Sequence, residues 1–390
     1  KKSAYTWPEF IRGIIMSSNQ TNVFKSWWGK IRKSQAYNDV VSLMIAVGAG
    51  LVFGFIILLV SNPSDAIGGF LTVLAGGFSG GSQGIGDIFY YATPILLTGL
   101  SVGFAFKTGL FNIGAAGQYM IAQYATIYVI FAWTWIPSGM QWMVGLLVAL
   151  IVGGIWGAIP GLFKAYLNVN EVITSIMFNY IGLYLVNIMI KSGPAFDLYK
   201  SETKPLPASS NIPKLGLNQI FSGSSVNGGI VIAIIAAIVI YIILNKTTFG
   251  YELKACGFNR HASKYAGIND KRNILLSMAI AGALAGLGGG LAILAGSGNK
   301  MATGETLDPN GFKGIPVALL GLSNPIGIIF SALFISYIER GGYYMQMYEF
   351  VPEVIDIMVA MIIYLSAFSL MFRLMIERWN TKKSARLVEE

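Results

Sequence analysis

Uncharged apolar runs of about twenty residues recur along this chain, and nothing else in it limits the possible folds so tightly. The clearest covers 40–60. Its 21 residues, at about 1.5 Å of helical rise each, reach about 31 Å, close to the hydrocarbon thickness of a bilayer. Ser61-Asn62-Pro63 ends it. A cleavable signal peptide is not expected, because this run begins about forty residues into the sequence. Further candidates cover 88–106, 112–133, 142–163, 171–190, 229–245, 273–296, 326–340 and 353–373. The shorter apolar stretch 312–322 lies between Pro309 and Pro325, contains Pro316, and reads as half of a broken membrane helix. The expected fold is all-α: a polytopic transmembrane helical bundle of about ten crossings, including a broken C-terminal helix.

Charge orients this layout. Only 12% of residues are charged, against about a quarter in a soluble chain, yet the net charge is +9. Residues 1–38, the 246–272 loop and the tail from Arg373 together hold 18 of the 27 lysines and arginines, whereas 61–88 holds none. The positive-inside rule places both termini and the 246–272 loop in the cytoplasm. Both ends on one side require an even number of crossings, which the 312–322 segment supplies. The expected organisation is a cytoplasmic or interfacial segment 1–39, a membrane domain 40–373 with a cytoplasmic loop 246–272 and an extracellular loop 191–228, and a cytoplasmic tail 374–390. Trp7, Trp27 and Trp28 accompany the basic residues of the first segment and suit a lipid interface. The 76–86 stretch reads as a bent, partly re-entrant connection between the first two spans.

The basic balance does not suggest nucleic-acid binding, because it forms no face outside the apolar runs. Cys256 is the sole cysteine, so no intrachain disulfide exists. His261 is the sole histidine, which leaves no zinc-ligand pattern. Gly103-Phe-Ala-Phe-Lys107-Thr108 is the nearest approach to a phosphate-binding loop, but it lacks the glycine before the lysine. Lys107 reads instead as the cytoplasmic end of a span. Glycines four apart, at Gly153, Gly157 and Gly161 and at Gly282, Gly286 and Gly290, suit close helix approach in lipid.

Polar residues within the spans are mostly uncharged: Asn112, Gln118, Gln123, Thr174, Ser175 and Asn179. Such amides and hydroxyls suit a neutral polar solute, and Phe104, Phe106, Phe178 and Tyr180 add aromatic surface. They equally suit helix packing. Glu171 follows Asn168-Val-Asn170 at a span start, where it either complements the helix dipole or serves transport. In the 246–272 loop, glycine breaks bracket a short helix over 259–266. Asn259 caps it, Ala262 and Tyr265 form an apolar face, and Arg260 and Lys264 form a basic one. That segment is either a tight cytoplasmic turn or a docking helix for a soluble partner.

Four motifs decide between these readings. Gly109-Leu-Phe-Asn112-Ile-Gly114-Ala-Ala-Gly117-Gln118 resembles a signature of bacterial ABC importer permeases of the ribose and branched-chain amino acid superfamily. Asn168-Val-Asn170-Glu171-Val-Ile-Thr174, continuing to Asn179-Tyr180, resembles a second, found in the simple-sugar and nucleoside subgroup. Residues 250–268 resemble the family's cytoplasmic coupling segment. Gly304-Glu305, Pro309, Gly311-Phe312, Gly314-Ile315 and Asn324-Pro325 resemble its discontinuous C-terminal helix. The resemblance spans roughly 40–375. Ala116 departs from it, standing where relatives commonly carry an acidic residue.

The resemblance implies a permease subunit in a bacterial cell membrane, without an ATPase site or bound cofactor of its own. It would act with a second permease, with ABC ATPase subunits (in some systems a fused double ATPase) that bind ATP and magnesium, and with an extracellular binding protein or lipoprotein. Phe104, Asn112, Gln118, Glu171, Thr174 and Asn179 are the expected substrate pathway. Lys254, Gly257, Asn259, Arg260, Ala262, Tyr265 and Gly267 are the expected coupling surface. Nucleosides are the expected substrate and simple sugars the alternative. An ion-coupled secondary transporter is the more distant rival, since no coupling site is visible.

Overall fold

The computed structural model describes residues 35–296 and 298–368, together with 371 and 375. Most of the expected 1–39 segment, including its three tryptophans, and nearly all of the 374–390 tail lie outside the described residues. Helices dominate, as the apolar periodicity requires: α1 Gln35–Ser61, α2 Ala66–Ala75, α3 Gly81–Lys107, α4 Ala115–Ala132, α5 Gln141–Leu167 and α6 Glu171–Ser192. After the 193–228 segment come α8 Gly229–Lys246, α9 Thr248–Phe258, α10 Arg260–Tyr265, α11 Asp270–Ile293, α12 Pro309–Leu320, α13 Pro325–Met345 and α14 Pro352–Ala367, with the four-residue α7 Leu217–Ile220 before them.

Among the described residues, six stretches are long and apolar enough to cross a membrane: Val41–Ser61, Ala66–Lys107, Ser138–Leu167, Glu171–Ser192, Gly229–Lys246 and Asp270–Ile293. The other expected crossings are α4, α12, α13 and α14. Gln118, Gln123 and several tyrosines lower the hydropathy of α4, which it tolerates because nearly all of its surface is buried in protein. At 12 residues, α12 reaches about 18 Å, little more than half a bilayer. Burial separates inner from outer helices. The apolar windows of Ala66–Lys107 and α11 are 78% and 72% buried, whereas those of α1 and α5 are each 28% buried and leave apolar faces open.

Two compact units are distinguished. In the one comprising the described residues up to Gly54 and from Ala360, α1 meets α14 at Gly50, where an added methyl would lie 2.6 Å from the Ile362 backbone. The other, Phe55–Val359, holds the remaining helices. Its tightest contact joins α5 and α11. A methyl at Gly153 would lie 2.5 Å from the Gly282 carbonyl oxygen, and one at Gly157 would lie 2.6 Å from that of Met278. The four-apart glycines therefore let two backbones touch, as their spacing suggests.

Side-chain caps fix the helix starts. Asn170 accepts from the Val172 N–H, Thr247 from Gly250, Asn259 from Ala262, Asn269 from Arg272, Asp308 from Asn310 and Asn324 from Ile326. Pro309 and Pro325 occupy first turns, where a missing N–H costs nothing. The 76–86 stretch is a bend built of helical pieces: a 3-10 turn over Gly76–Gly80 leads from α2 straight into α3. Gly76 and Gly81 have φ of 51° and 58°, and Gly76 lies under the Tyr337 ring, so these glycines end one helical piece and let the chain turn at once into the next. Residues 193–228 carry a small hairpin, β1 Phe196–Asp197 and β2 Glu202–Thr203, and fold against 294–304 through Thr203 N–H to Met301 O and Ile212 N–H to Leu294 O.

Candidate functional site

The signature over 109–118 forms the non-helical turn between α3 and α4 and the first turn of α4. Gly109 has φ of 74°, which lets the chain reverse after Thr108. Asn112 is fully buried and donates to the Ser101 hydroxyl at 2.9 Å. It also exchanges paired amide hydrogen bonds with Gln118, at 2.8 and 3.0 Å. From α6, Asn179 accepts from the Gly117 N–H at 2.8 Å and donates to the Ile113 carbonyl at 2.9 Å. Three buried amides thus hold the turn closed and join it to α6, with every polar group they present matched. Ala116 packs against the backbone of Gly311 in α12, leaving no room there for a longer acidic side chain.

The remaining residues expected on a pathway lie elsewhere. Phe104 is buried in the body of α3. The Thr174 hydroxyl donates back to the Asn170 and Glu171 carbonyls, and Glu171 pairs with Lys164 across the α5–α6 turn at 2.9 Å. Asn112, Gln118 and Asn179 are therefore brought together, Glu171 and Thr174 form a separate group, and Phe104 joins neither.

The segment 248–265 is two helices, α9 and α10, where the sequence suggested one short helix between glycine breaks. Asn259 caps α10, as its position suggests. Gly257 is not a break. It lies in the last turn of α9, where a methyl would sit 2.7 Å from the Thr108 carbonyl carbon and 2.8 Å from the Gly109 nitrogen. The helix pair thus touches the signature turn backbone to backbone. Arg260 secures it a second time, bonding Asp270 at 2.6 Å and reaching the Asn168 side chain at 3.3 Å. Asn168, in a left-handed conformation at φ 53°, ends α5 and begins the second motif. Lys254 reaches Asn245 at 3.4 Å, and Gly267, at φ 82°, turns the chain out of α10. Outward from this pair project Tyr251, Phe258 and Tyr265, the last 95% exposed, beside a groove of about 590 Å³ that includes Ala262. Large aromatics exposed on a capped, anchored helix pair form a surface suited to a protein partner.

Toward the opposite end of α3 the structure holds two features that the sequence reading missed. Asp87 and Arg340 pair at 2.6 Å with side chains 10% and 13% exposed. Ser224 donates to the same carboxylate, and the guanidinium lies over the rings of Tyr91, Tyr343 and Tyr344. Next to it is a cavity of about 270 Å³ whose lining includes Tyr90, Tyr119, Gln123, Asn299, Asp308 and Asn310. Gln123, one of the amides noted within the spans, the adjacent Tyr90-Tyr91 pair and the Asp308-Pro309 cap are their local signals. Among the described residues, no group of three or more His, Cys, Asp or Glu side chains is arranged to hold a metal ion.

A polytopic helical domain with a discontinuous helix and an exposed helix pair anchored to a buried turn is the build of a transporter's membrane subunit. The chain belongs to the family described as branched-chain amino acid transport system / permease component, which matches residues 84–367. It is 38% identical to the guanosine ABC transporter permease protein NupP of Bacillus subtilis (strain 168), over 87% of this chain and 96% of the relative. It is 35% identical to the nucleoside ABC transporter permease protein NupB of Lactococcus lactis subsp. cremoris (strain MG1363), over 89% and 96%. A glucose ABC transporter permease protein, TsgB13 of Haloferax volcanii, is 29% identical over 85% and 88%. No solved structure matches the chain. It is a multi-pass membrane protein of the ABC permease class.

Proposed function

We propose that this chain is the permease subunit of an ATP-driven importer and forms the route by which nucleosides cross a bacterial cell membrane. The observation that carries the reading is the contact between Gly257 and Thr108–Gly109, which joins an exposed aromatic helix pair to the buried signature turn. The names of the two relatives at 38% and 35% identity support nucleosides over sugars.

In this reading α9 and α10 face the cytoplasm, as do both termini, and dock into ABC ATPase subunits, separate or fused. Tyr251, Phe258 and Tyr265 supply the contact, with Lys254, Arg260, Asn259, Ala262 and Gly267 shaping the pair. ATP and magnesium act on those partners, where hydrolysis supplies the energy. A second permease completes the pathway, and an extracellular binding protein or lipoprotein delivers the solute. Within this chain, movement of α9 pushes on Thr108–Gly109. The amide lock of Asn112, Gln118 and Asn179 then carries that push into α4 and α6. Glu171 and Thr174 hold the start of α6, and Phe104 fills the wall of α3, so these residues frame the pathway rather than bind along it.

The test is uptake of labelled nucleosides and sugars by the assembled complex in proteoliposomes, with and without ATP. ATP-dependent uptake with guanosine preferred is the expected result. Preference for sugars would replace nucleosides by the second reading. Uptake that survives ATP removal and collapses with an ion gradient would overturn the importer reading.

A further inference from the structure

We infer that the cavity between α3, α4, α11 and the start of α12 is a nucleoside subsite within this single subunit, with Asp308 directed to the ribose hydroxyls and the tyrosines and amides to the base. The inference rests on the importer reading and adds a place and a chemistry to it.

The cavity runs from the exposed Lys300 at its rim to the buried Tyr119 at its floor. Pro94, also in its lining, stands at the midpoint of α3, so the space extends from the helix ends to about half their depth. Its volume of about 270 Å³ lies at the lower edge of small-molecule sites, about 300–1,000 Å³, which suits one sugar or nucleoside and excludes a peptide. The helices around it supply polar groups that they do not use themselves. Tyr119 is wholly buried, and its hydroxyl makes no well-formed hydrogen bond: only the Asn310 side chain interacts with it, with Asp308 nearby. A buried hydroxyl left unmatched is costly, and one facing a cavity is matched when a polar solute enters.

Asp308 has two distinct oxygens. Oδ1 accepts the Asn310 N–H and caps α12. Oδ2 has only a long contact from Gln123 at 3.5 Å, which leaves it open to a stronger donor. A carboxylate oxygen accepting from vicinal hydroxyls is a recurrent way of holding ribose. Asn299 donates its amide hydrogens to the Ala292 and Ile293 carbonyls, and its side chain also meets Tyr90. With Gln123 and Asn310, the cavity offers both donors and acceptors, as a base edge requires. The rings of Tyr90, Tyr91 and Tyr119 add flat apolar surface on which a base can stack. The combination suits a nucleoside.

Two substitutions test the site while sparing the fold. D308N retains the capping oxygen, since Asn caps as well as Asp, but turns the free acceptor into a donor. Y119F removes a hydroxyl whose one partner in the chain is the Asn310 side chain. Each variant is assembled with its partners, and ATP-driven uptake of guanosine and 2′-deoxyguanosine is measured at saturating binding protein. D308N is expected to lower guanosine uptake about tenfold and narrow its advantage over the deoxynucleoside, the scale of one lost charge-assisted hydrogen bond. Y119F is expected to lower guanosine uptake about threefold, the scale of one neutral hydrogen bond. Wild-type guanosine uptake and riboside preference in both variants would overturn the subsite and leave the importer reading standing. Absence of ATP-driven nucleoside uptake by the wild-type complex would overturn both.

Discussion

The sharpest test of coupling is Gly257→Ala. The added methyl would stand 2.7 Å from the Thr108 carbonyl carbon, 2.8 Å from the Gly109 nitrogen and 3.1 Å from the Thr108 oxygen. All three are backbone atoms, so no side chain can swing aside. Carbon contacts are optimal at about 3.5–4.0 Å, and α9 must therefore retreat from the turn by about 1 Å. Overpacking of this kind costs about 1–3 kcal/mol, small enough for the chain to assemble. The displacement falls at the one place where the exposed helix pair meets the signature turn backbone to backbone. Nucleoside uptake is expected to fall about tenfold, equivalent to about 1.4 kcal/mol, while the complex hydrolyses ATP near the wild-type rate. The assay is the ratio of nucleoside imported to ATP hydrolysed in proteoliposomes. Wild-type stoichiometry in an assembled Gly257→Ala complex would refute the mechanical role of this contact.

Tyr265→Ala should behave differently, because a side chain 95% exposed has almost no contact within the chain to lose. It should weaken ATPase binding in a pull-down titration and leave thermal stability unchanged. Asn112→Leu should destabilise by about 1–3 kcal/mol by stranding the buried Gln118 amide, and Asn112→Leu with Gln118→Leu should recover part of that loss in detergent unfolding. Arg340→Met should cost about 3–5 kcal/mol by leaving the buried Asp87 carboxylate without its cation, with much of it restored by adding Asp87→Asn, read as unfolding midpoints. Gly282→Ala should lower stability by about 1–3 kcal/mol because its methyl meets the Gly153 and Gly157 backbones, whereas Gly139→Ala, which meets nothing, should shift the midpoint little.

The helices were legible in the sequence wherever hydropathy and caps agreed. Asn170, Asn259, Asp308 and Asn324 each stand one residue before a helix start, and the prolines after two of them sharpen the boundary. Glycine was the ambiguous letter. Gly76 and Gly81 make the bend that the 76–86 stretch suggests, whereas Gly257, read locally as a break, admits a neighbouring backbone. Which role a glycine plays depends on what packs against it, and that partner lies far away in the chain. The same distance concealed the polar features. Asp87 and Arg340 are 253 positions apart, and Gln123 and Asp308 are 185 apart, so no local pattern could pair them. Of the uncharged polar residues that the sequence did single out, Asn112 and Gln118 are expended on each other and Asn179 on the backbone of the same turn. Their open counterparts, Tyr119 and Asp308, lie next to or beyond the motifs that drew notice.

That adjacency joins the two ends of the protein. Gln118 closes the amide lock with Asn112, and Tyr119, the next residue on α4, looks into the cavity. Ala116, a residue pair earlier, lies against Gly311 of α12, whose first turn carries Asp308 and Asn310 to the same cavity. A push at Gly109 thus meets a helix that has its first turn in the lock and its second on the cavity wall, with Gln123 about 12 Å from Ala115 at helical rise. Rigid elements with buried, fully matched contacts transmit displacement; loosely packed ones absorb it. The matched amides around Asn112 therefore suit transmission, and the poorly matched Tyr119 hydroxyl suits reception of a solute. In this account an acidic residue at 116 would separate α4 from α12 and weaken the link between coupling surface and cavity. Ala116→Glu should accordingly reduce uptake more than it reduces ATP hydrolysis, and equal losses in both would place the defect in assembly instead.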